Sequence, residues 1–407
     1  MLAIYIHYPY CKSKCPYCDF NSHVKSEIDF ANLKLAYFQE IEFFSKNSLQ
    51  QKVSSIFFGG GTPSLMPIDL VENILSKISQ YFQLENDCEI TLEANPTSSE
   101  AQKFISLKNI GINRLSLGIQ ALNDDDLKFL GREHSATEAI KTIEIAKNIF
   151  ENFSFDLIYA RPQQSISDWQ KELKQALDFA VPHLSLYQLT IEKGTKFFSE
   201  YQQNKFNLPD ENLSIELYEM TSKIMQENNY LHYEISNFAK ENFQSRHNLQ
   251  YWKSGDYIGI GAGAHSRVRF KNNQRMAIQM ISEPNNWITK NLSYQQNNFN
   301  LSHKIELNET INYKINAIQD ISSLDQISQI EEIILMGLRL DSGIDLSIFL
   351  KFFNKDFFEI FDKNKINFLI KNNFLKIENN HLKIPLNQRI ITNKIIEKTC
   401  ESINLNN

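Results

Sequence analysis

Tyr5-Ile6-His7-Tyr8-Pro9-Tyr10-Cys11-Lys12-Ser13-Lys14-Cys15-Pro16-Tyr17-Cys18-Asp19-Phe20 sets three cysteines in the spacing C-x3-C-x2-C directly behind a β-prone run, Ala3–Tyr8. The chain's two other cysteines, Cys88 and Cys400, lie far from this loop in sequence. Three thiolates can hold a [4Fe–4S] cluster and leave one iron without a protein ligand. Closed clusters take four cysteines, and an open metal position is where a substrate or cofactor binds, as in catalytic zinc sites. The triplet therefore points to a reactive cluster. Plainer readings compete with it. Cysteine is often a buried small hydrophobe, but Cys11–Cys18 is polar and broken by Pro16. A zinc site wants a fourth ligand, which His7 or His23 could supply. A disulfide leaves an odd cysteine and suits secreted chains.

Working outward, short apolar runs recur at Val53–Phe58, Glu89–Glu93, Arg114–Ile119, Phe153–Tyr159 and His183–Leu189. Between them lie stretches with apolar residues three and four apart, such as Ile28–Phe44, Leu70–Phe82, Ala136–Ile149 and Ile166–Phe179. Strands alternating with helices predict an α/β fold with a parallel sheet, here a partial (β/α)6 barrel. In such a barrel the loops after the strands form the active face. The cysteine loop follows strand one and Gly59-Gly60-Gly61-Thr62-Pro63 follows strand two. Glu93 ends strand three, Gln120 ends strand four, and Asp156 sits near the exit of strand five. Five strand ends aim at one mouth.

The barrel is expected over residues 1–200, with an extension at 201–282 that is rich in His, Tyr, Trp and Gly. Residues 283–328 are polar and read as a connector. Residues 329–407 predict helices at Glu331–Leu340 and Phe357–Asn372, then a hairpin across Asn379-Asn380, an α+β winged-helix-like module. Its weak basic face favours protein contact or packing over DNA. A net charge of −6 gives no case for nucleic acid as a partner. Five cysteines without an even framework suit a reducing cytosol. No run of eighteen apolar residues exists, so neither a spanning helix nor a signal peptide is expected.

The three glycines after strand two let backbone approach a ligand closely; they match neither a Walker loop nor a dinucleotide fingerprint. Glu93, Gln120, Arg132 and Asp156 are individually ordinary polar residues. Together, carboxylate, amide and guanidinium suffice to orient a nucleoside and a carboxylate. His247, in His247-Asn248-Leu249-Gln250-Tyr251-Trp252, stands beside two aromatics. Such a histidine is commonly a packing residue, yet neutral imidazole is also a good haem ligand and the rings could stack on a porphyrin. His265, within Gly261-Ala262-Gly263-Ala264-His265-Ser266, is a weaker second candidate.

The stretch Tyr5–Phe20 resembles the cluster loop of radical S-adenosylmethionine (SAM) proteins. More narrowly it is similar to the oxygen-independent coproporphyrinogen III oxidase family and its haem chaperone branch, HemW, over about residues 1–270. The resemblance implies a radical-SAM barrel with a [4Fe–4S] cluster on Cys11, Cys15 and Cys18 and SAM chelating the open iron. It implies Tyr5, Gly60 and Glu93 as contacts of that SAM, and Gly61, Thr62, Gln120, Arg132 and Asp156 as residues around a second SAM in the oxidase branch. That branch carries a fourth cysteine two residues after the third, where this chain has Phe20, and a long N-terminal extension. The H-N-x-x-Y-W motif belongs instead to the chaperone branch, where its His is associated with haem. The usual Gly-Leu-Pro after strand five is here Ala160-Arg161-Pro162, which is expected to bring a charge to the mouth.

The expected function is therefore a haem chaperone that carries a SAM-ligated cluster and passes haem to an acceptor haem protein, such as a respiratory one. The alternative is oxidative decarboxylation of coproporphyrinogen III in porphyrin biosynthesis, with SAM cleaved to a 5′-deoxyadenosyl radical. A third reading is another radical-SAM modification. A cytoplasmic location is expected, and a homodimer and peripheral membrane contact are compatible with the sequence.

Overall fold

The computed structural model describes residues 1–293 and 315–404; part of the expected connector lies outside the described residues. The chain divides into two units, residues 1–221 with 256–323, and residues 222–255 with 324–407.

In the larger unit the six expected strands form: β1 (Leu2–Tyr8), β2 (Val53–Gly60), β3 (Leu84–Ala94), β4 (Arg114–Gln120), β5 (Asn152–Tyr159) and β6 (His183–Gln188). They pair in parallel in that order. A seventh parallel strand, β7 (Asp256–Ile260), joins the other side of β1. The sheet then continues antiparallel through β8 (His265–Arg269), β9 (Arg275–Met280) and β10 (Ile318–Ser323). The last strand falls in the expected connector. Only Ile321 within it is buried, so it carries no apolar run to read.

Burial on both faces explains the nearly continuous apolar β1, where Leu2, Ala3, Ile4 and Ile6 are fully covered. From β4 onward the pattern alternates. Leu115, Leu117 and Ile119 are buried on one face, and Arg114, Ser116, Gly118 and Gln120 take the other. The alternation continues in β5, with Ser154 and Asp156, and in β6, with His183 and Ser185. Register aligns the polar residues: Glu93 opposes Ser116, Ser116 opposes Ser154, and Asp156 opposes Ser185. The barrel's inner wall is thus polar where its outer wall is a core. Helices begin on local signals, with capping boxes at Ser135/Glu138 and Ser165/Asp168.

After β5, Ala160 has φ 56°. The left-handed region costs a residue with a Cβ roughly 1–2 kcal/mol. Ala160→Gly should therefore stabilise the protein by about 1 kcal/mol, after the entropy that glycine adds to the unfolded chain. The check is a higher urea midpoint at unchanged m-value.

The smaller unit takes in residues 222–255, which composition had assigned to the barrel extension. Within it Tyr233 and Asp341 are joined by a backbone hydrogen bond of 3.0 Å, and Arg389 reaches the His232 carbonyl at 3.4 Å and the Asp341 carboxylate at 3.2 Å. These links between distant stretches are invisible to a linear reading. The helices Gln326–Gly337, Ser347–Phe353 and Lys363–Lys371 enclose an apolar core with Phe349, Phe361 and Leu382. The expected helix over Phe357–Asn372 is broken. Phe361 turns extended into the core, and Asp362 caps the next helix through the amides of Asn364 and Lys365. The hairpin forms as expected, Lys376–Glu378 against His381–Lys383, with positive φ at Asn379 and Asn380 as a two-residue turn requires.

Candidate functional site

Cys11, Cys15 and Cys18 line one cavity at the C-terminal ends of the barrel strands, of about 230 Å³, many times the roughly 30 Å³ that one water occupies. The loop is held from within. Lys14 donates to the carbonyls of Phe20 (3.3 Å) and Ser22 (3.4 Å), and the Cys18 amide to the Cys15 carbonyl (3.1 Å). His7 fixes its outer end: Nε2 donates to the Asn21 carbonyl (2.9 Å), so neutral Nδ1 accepts from Tyr5 (3.1 Å). The glycines of the second loop serve this packing. A Cβ on Gly60, at φ +110°, would meet the His7 ring at 2.5 Å, and one on Gly61 would meet the Tyr10 carbonyl at 2.5 Å. Gly61 and Thr62 instead donate to the carbonyls of Tyr8 (2.7 Å) and Tyr10 (2.9 Å). Gly261, at φ +120°, closes on the His7 carbonyl from the other side.

The thiols have polar neighbours. Thr62 Oγ1 donates to Cys11 Sγ at 3.5 Å and Arg132 Nη1 to Cys15 Sγ at 3.3 Å; Cys18 Sγ lies 3.9 Å from Ser22 Oγ. Burial pushes Cys11 and Cys18 up, which keeps those thiols neutral until a metal takes the proton's place. Among the described residues no three His, Cys, Asp or Glu side chains are grouped to share a single ion. A cluster asks for no such convergence, since each thiolate takes a different iron. The donor set fits a [4Fe–4S] cluster better than a lone zinc.

Behind the thiols the polar inner wall supplies charge. Glu93 accepts the Gly60 amide at 3.2 Å, and burial with the neighbouring Asp156 carboxylate pushes it up to about 8. Burial raises Asp156 to about 6, against the opposing pull of Ser185 and two guanidinium groups. One of these, Arg114, donates to Ser154 (3.0 Å), which donates to Ser116 (3.2 Å). The other, Arg132, donates to Asn95 Oδ1 (2.5 Å) and the Gly118 carbonyl (2.8 Å). Gln120 holds φ 74° at the rim, a strained position of the kind found at ligand sites. Two carboxylates, an amide and a guanidinium around one cavity can orient a ligand bearing ammonium and hydroxyl groups.

Gly60, Gly61, Thr62, Glu93, Gln120, Arg132 and Asp156 all line the cavity together with the three cysteines. Tyr5 does not line it; its hydroxyl is spent on His7. Arg161 corrects an expectation. It is buried away from the mouth, paired with Glu172 and with Asp126 (2.8 Å), and donates to the Ile158 carbonyl (2.8 Å). The turn after β5 leaves it no open path to solvent. Asn95, Ser116 and His134 line the cavity without having been anticipated. Ser116 was legible in the two-residue alternation of β4; Asn95, followed by Pro96, reads as an ordinary turn.

His247 belongs to the smaller unit, on the helix Arg246–Trp252 that Ser245 caps through Asn248 N–H at 3.3 Å. It is 1% exposed, with Nε2 2.8 Å from the Tyr251 hydroxyl and the rings nearly perpendicular at 4.9 Å. His265 is exposed, on β8.

Residues 5–176 match the radical SAM superfamily model, and residues 324–388 the HemN C-terminal domain. Heme chaperone HemW of Haemophilus influenzae is 39% identical over 303 residues, 73% of this chain and 78% of that protein. The chain belongs to the HemW family of radical SAM proteins. Mitochondrial radical S-adenosyl methionine domain-containing protein 1 of Mus musculus is 35% identical over 346 residues, 84% of this chain and 74% of its own. Coproporphyrinogen III oxidase (HemN) from Escherichia coli shares the fold, with a TM-score of 0.76 over 98% of this chain and 89% of its own at 20% identity. The radical SAM barrel expected from the opening loop is thus present in a HemW-family chain.

Proposed function

We propose that this protein is a haem chaperone: it binds haem, holds a [4Fe–4S] cluster with SAM, and delivers haem to an acceptor haem protein. The observation that carries the reading is the set of three thiols around one cavity, in a chain of the HemW family that has Phe20, 61% exposed, where an oxidase would place a fourth cysteine. Cys11, Cys15 and Cys18 would hold the cluster, and Gly60 and Glu93 would face SAM. Cluster and SAM together supply one-electron chemistry when bound. Gln120, Arg132 and Asp156 would shape the rest of the cavity, and Tyr5 would act through His7. The reading extends to a respiratory acceptor, a homodimer and peripheral membrane contact. No described helix is long and apolar enough to cross a membrane; five cysteines without an even framework, three of them in the cluster loop, support a reducing compartment such as the cytoplasm.

His247 is the haem ligand in this reading. The structure holds its Nε2 against Tyr251, so ligation exchanges that hydrogen bond, worth about 1 kcal/mol net, for the bond to iron. Haem titrated into the anaerobically reconstituted protein should give a Soret band that His247→Ala loses. An intact band in that variant removes His247 from the site.

The retained polar wall favours a second reading, turnover of coproporphyrinogen III. Incubation with SAM, reductant and coproporphyrinogen III distinguishes it: protoporphyrinogen IX above a cluster-free control supports the oxidase, and its absence leaves the chaperone.

A further inference from the structure

Asn95 stands between the two donors that reach the thiols. Its Oδ1 accepts from Arg132 Nη2 at 2.5 Å, and its Nδ2 donates to Thr62 Oγ1 at 3.3 Å. Thr62 donates to Cys11 Sγ and Arg132 to Cys15 Sγ, so one hydrogen-bonded arc runs Cys11–Thr62–Asn95–Arg132–Cys15. The polarity of the arc is fixed by chemistry. A guanidinium is donor-only, so it compels the amide oxygen of Asn95 to face it. The amide nitrogen must then face Thr62, and it can only donate. With its oxygen accepting from Asn95, Thr62 has its single proton to give to Cys11 sulfur.

Asn95 is itself anchored. Its backbone N–H donates to Glu100 Oε2 at 2.9 Å, a carboxylate also bonded by Ser64, and Pro96 confines it to extended backbone. Rotating the amide would set Nδ2 against the guanidinium, donor against donor.

We propose that Asn95 is a positioning residue of the cluster site, directing one proton donor onto each of two cluster thiolates and so raising the reduction potential of the cluster. The inference rests on the cluster reading above. Hydrogen bonds to cluster sulfurs are among the determinants of potential; they favour the reduced state, which carries one more negative charge. Asn95 acts through Thr62 and Arg132 and not on a thiol directly.

Asn95→Asp turns the Thr62 hydroxyl and also adds a negative charge, so it is paired with Thr62→Val, which removes the Cys11 donor without adding charge. The carboxylate keeps the Arg132 contact but accepts from Thr62, drawing the hydroxyl proton away from Cys11. The full-length protein, reconstituted anaerobically, is titrated redox-potentiometrically with the EPR signal of the reduced cluster as readout. At fixed potential the reduced-to-oxidised ratio should fall by about tenfold in Asn95→Asp, which is ~59 mV for a one-electron couple. Thr62→Val should shift it in the same direction by a smaller amount, and the double variant no further than Asn95→Asp, because both remove the same hydrogen bond and only the carboxylate adds charge. Asn95→Ala, which frees Arg132 as well, should shift it at least as far as Thr62→Val. Iron and sulfide content should stay at the wild-type level throughout. An unchanged potential in Asn95→Asp with the cluster intact overturns the inference alone, as do additive shifts in the double variant. A wild-type protein that assembles no cluster overturns the proposed function and this inference together.

Discussion

Cys15→Ala should take up no stable cluster, with iron and sulfide falling to background after anaerobic reconstitution and the broad visible absorption of a [4Fe–4S] centre lost. Two remaining thiolates would leave two irons open, one more than a three-cysteine site leaves. The loss is expected to be chemical rather than structural. Lys14 still bridges the carbonyls of Phe20 and Ser22, and Gly61 and Thr62 still hold the backbone of Tyr8 and Tyr10. Cys15→Ala also deprives Arg132 Nη1 of its sulfur acceptor. The thermal midpoint of the metal-free variant should therefore fall a few degrees below the metal-free wild type, an unpaired buried donor costing about 1–3 kcal/mol, and not collapse. Cys11→Ala and Cys18→Ala should behave alike. Cys88→Ser and Cys400→Ser should keep the cluster, because neither residue lines the cavity. Retention of full iron content by Cys15→Ala would remove the triplet from the site.

The opening loop was legible because its chemistry is local. Three cysteines at fixed spacing behind a strand need no tertiary information, and the alternation of strand and helix then placed five strand ends at one mouth. Glu93, Gln120 and Asp156 lie where strand ends put them. What escaped was whatever depends on which face a side chain takes or on what it meets. Arg161, read as a charge at the mouth, turns inward because Glu172, on the helix that follows, and Asp126, on an earlier helix, await it. Asn95 reads as a turn residue, and only its placement between Thr62 and Arg132 gives it a role. The two-unit division was hidden for the same reason: what joins 222–255 to the C-terminal residues is packing and hydrogen bonding between positions distant in sequence. Strand β10 was missed because one buried isoleucine makes no pattern.

Arg161 also carries the largest expected loss of stability. Its guanidinium is 2% exposed and shared between Glu172, 7% exposed, and Asp126. Removing one partner of a buried pair leaves an uncompensated charge and costs about 3–5 kcal/mol, whereas replacing both can be neutral. Arg161→Met keeps the volume and deletes the charge, so the urea midpoint should fall steeply. The damage should reach the cavity wall. Glu172 also accepts the Leu122 amide at 2.7 Å, two residues beyond Gln120, whose φ of 74° depends on its surroundings for support. Arg161→Met with Glu172→Gln removes the stranded charge and keeps an acceptor for Leu122, and should recover about half of the loss. If Arg161→Met costs less than ~1 kcal/mol, the pair is not balancing a buried charge. If the double variant is as unstable as the single one, the loss lies in packing around the Arg161 stem and not in the charge on Glu172.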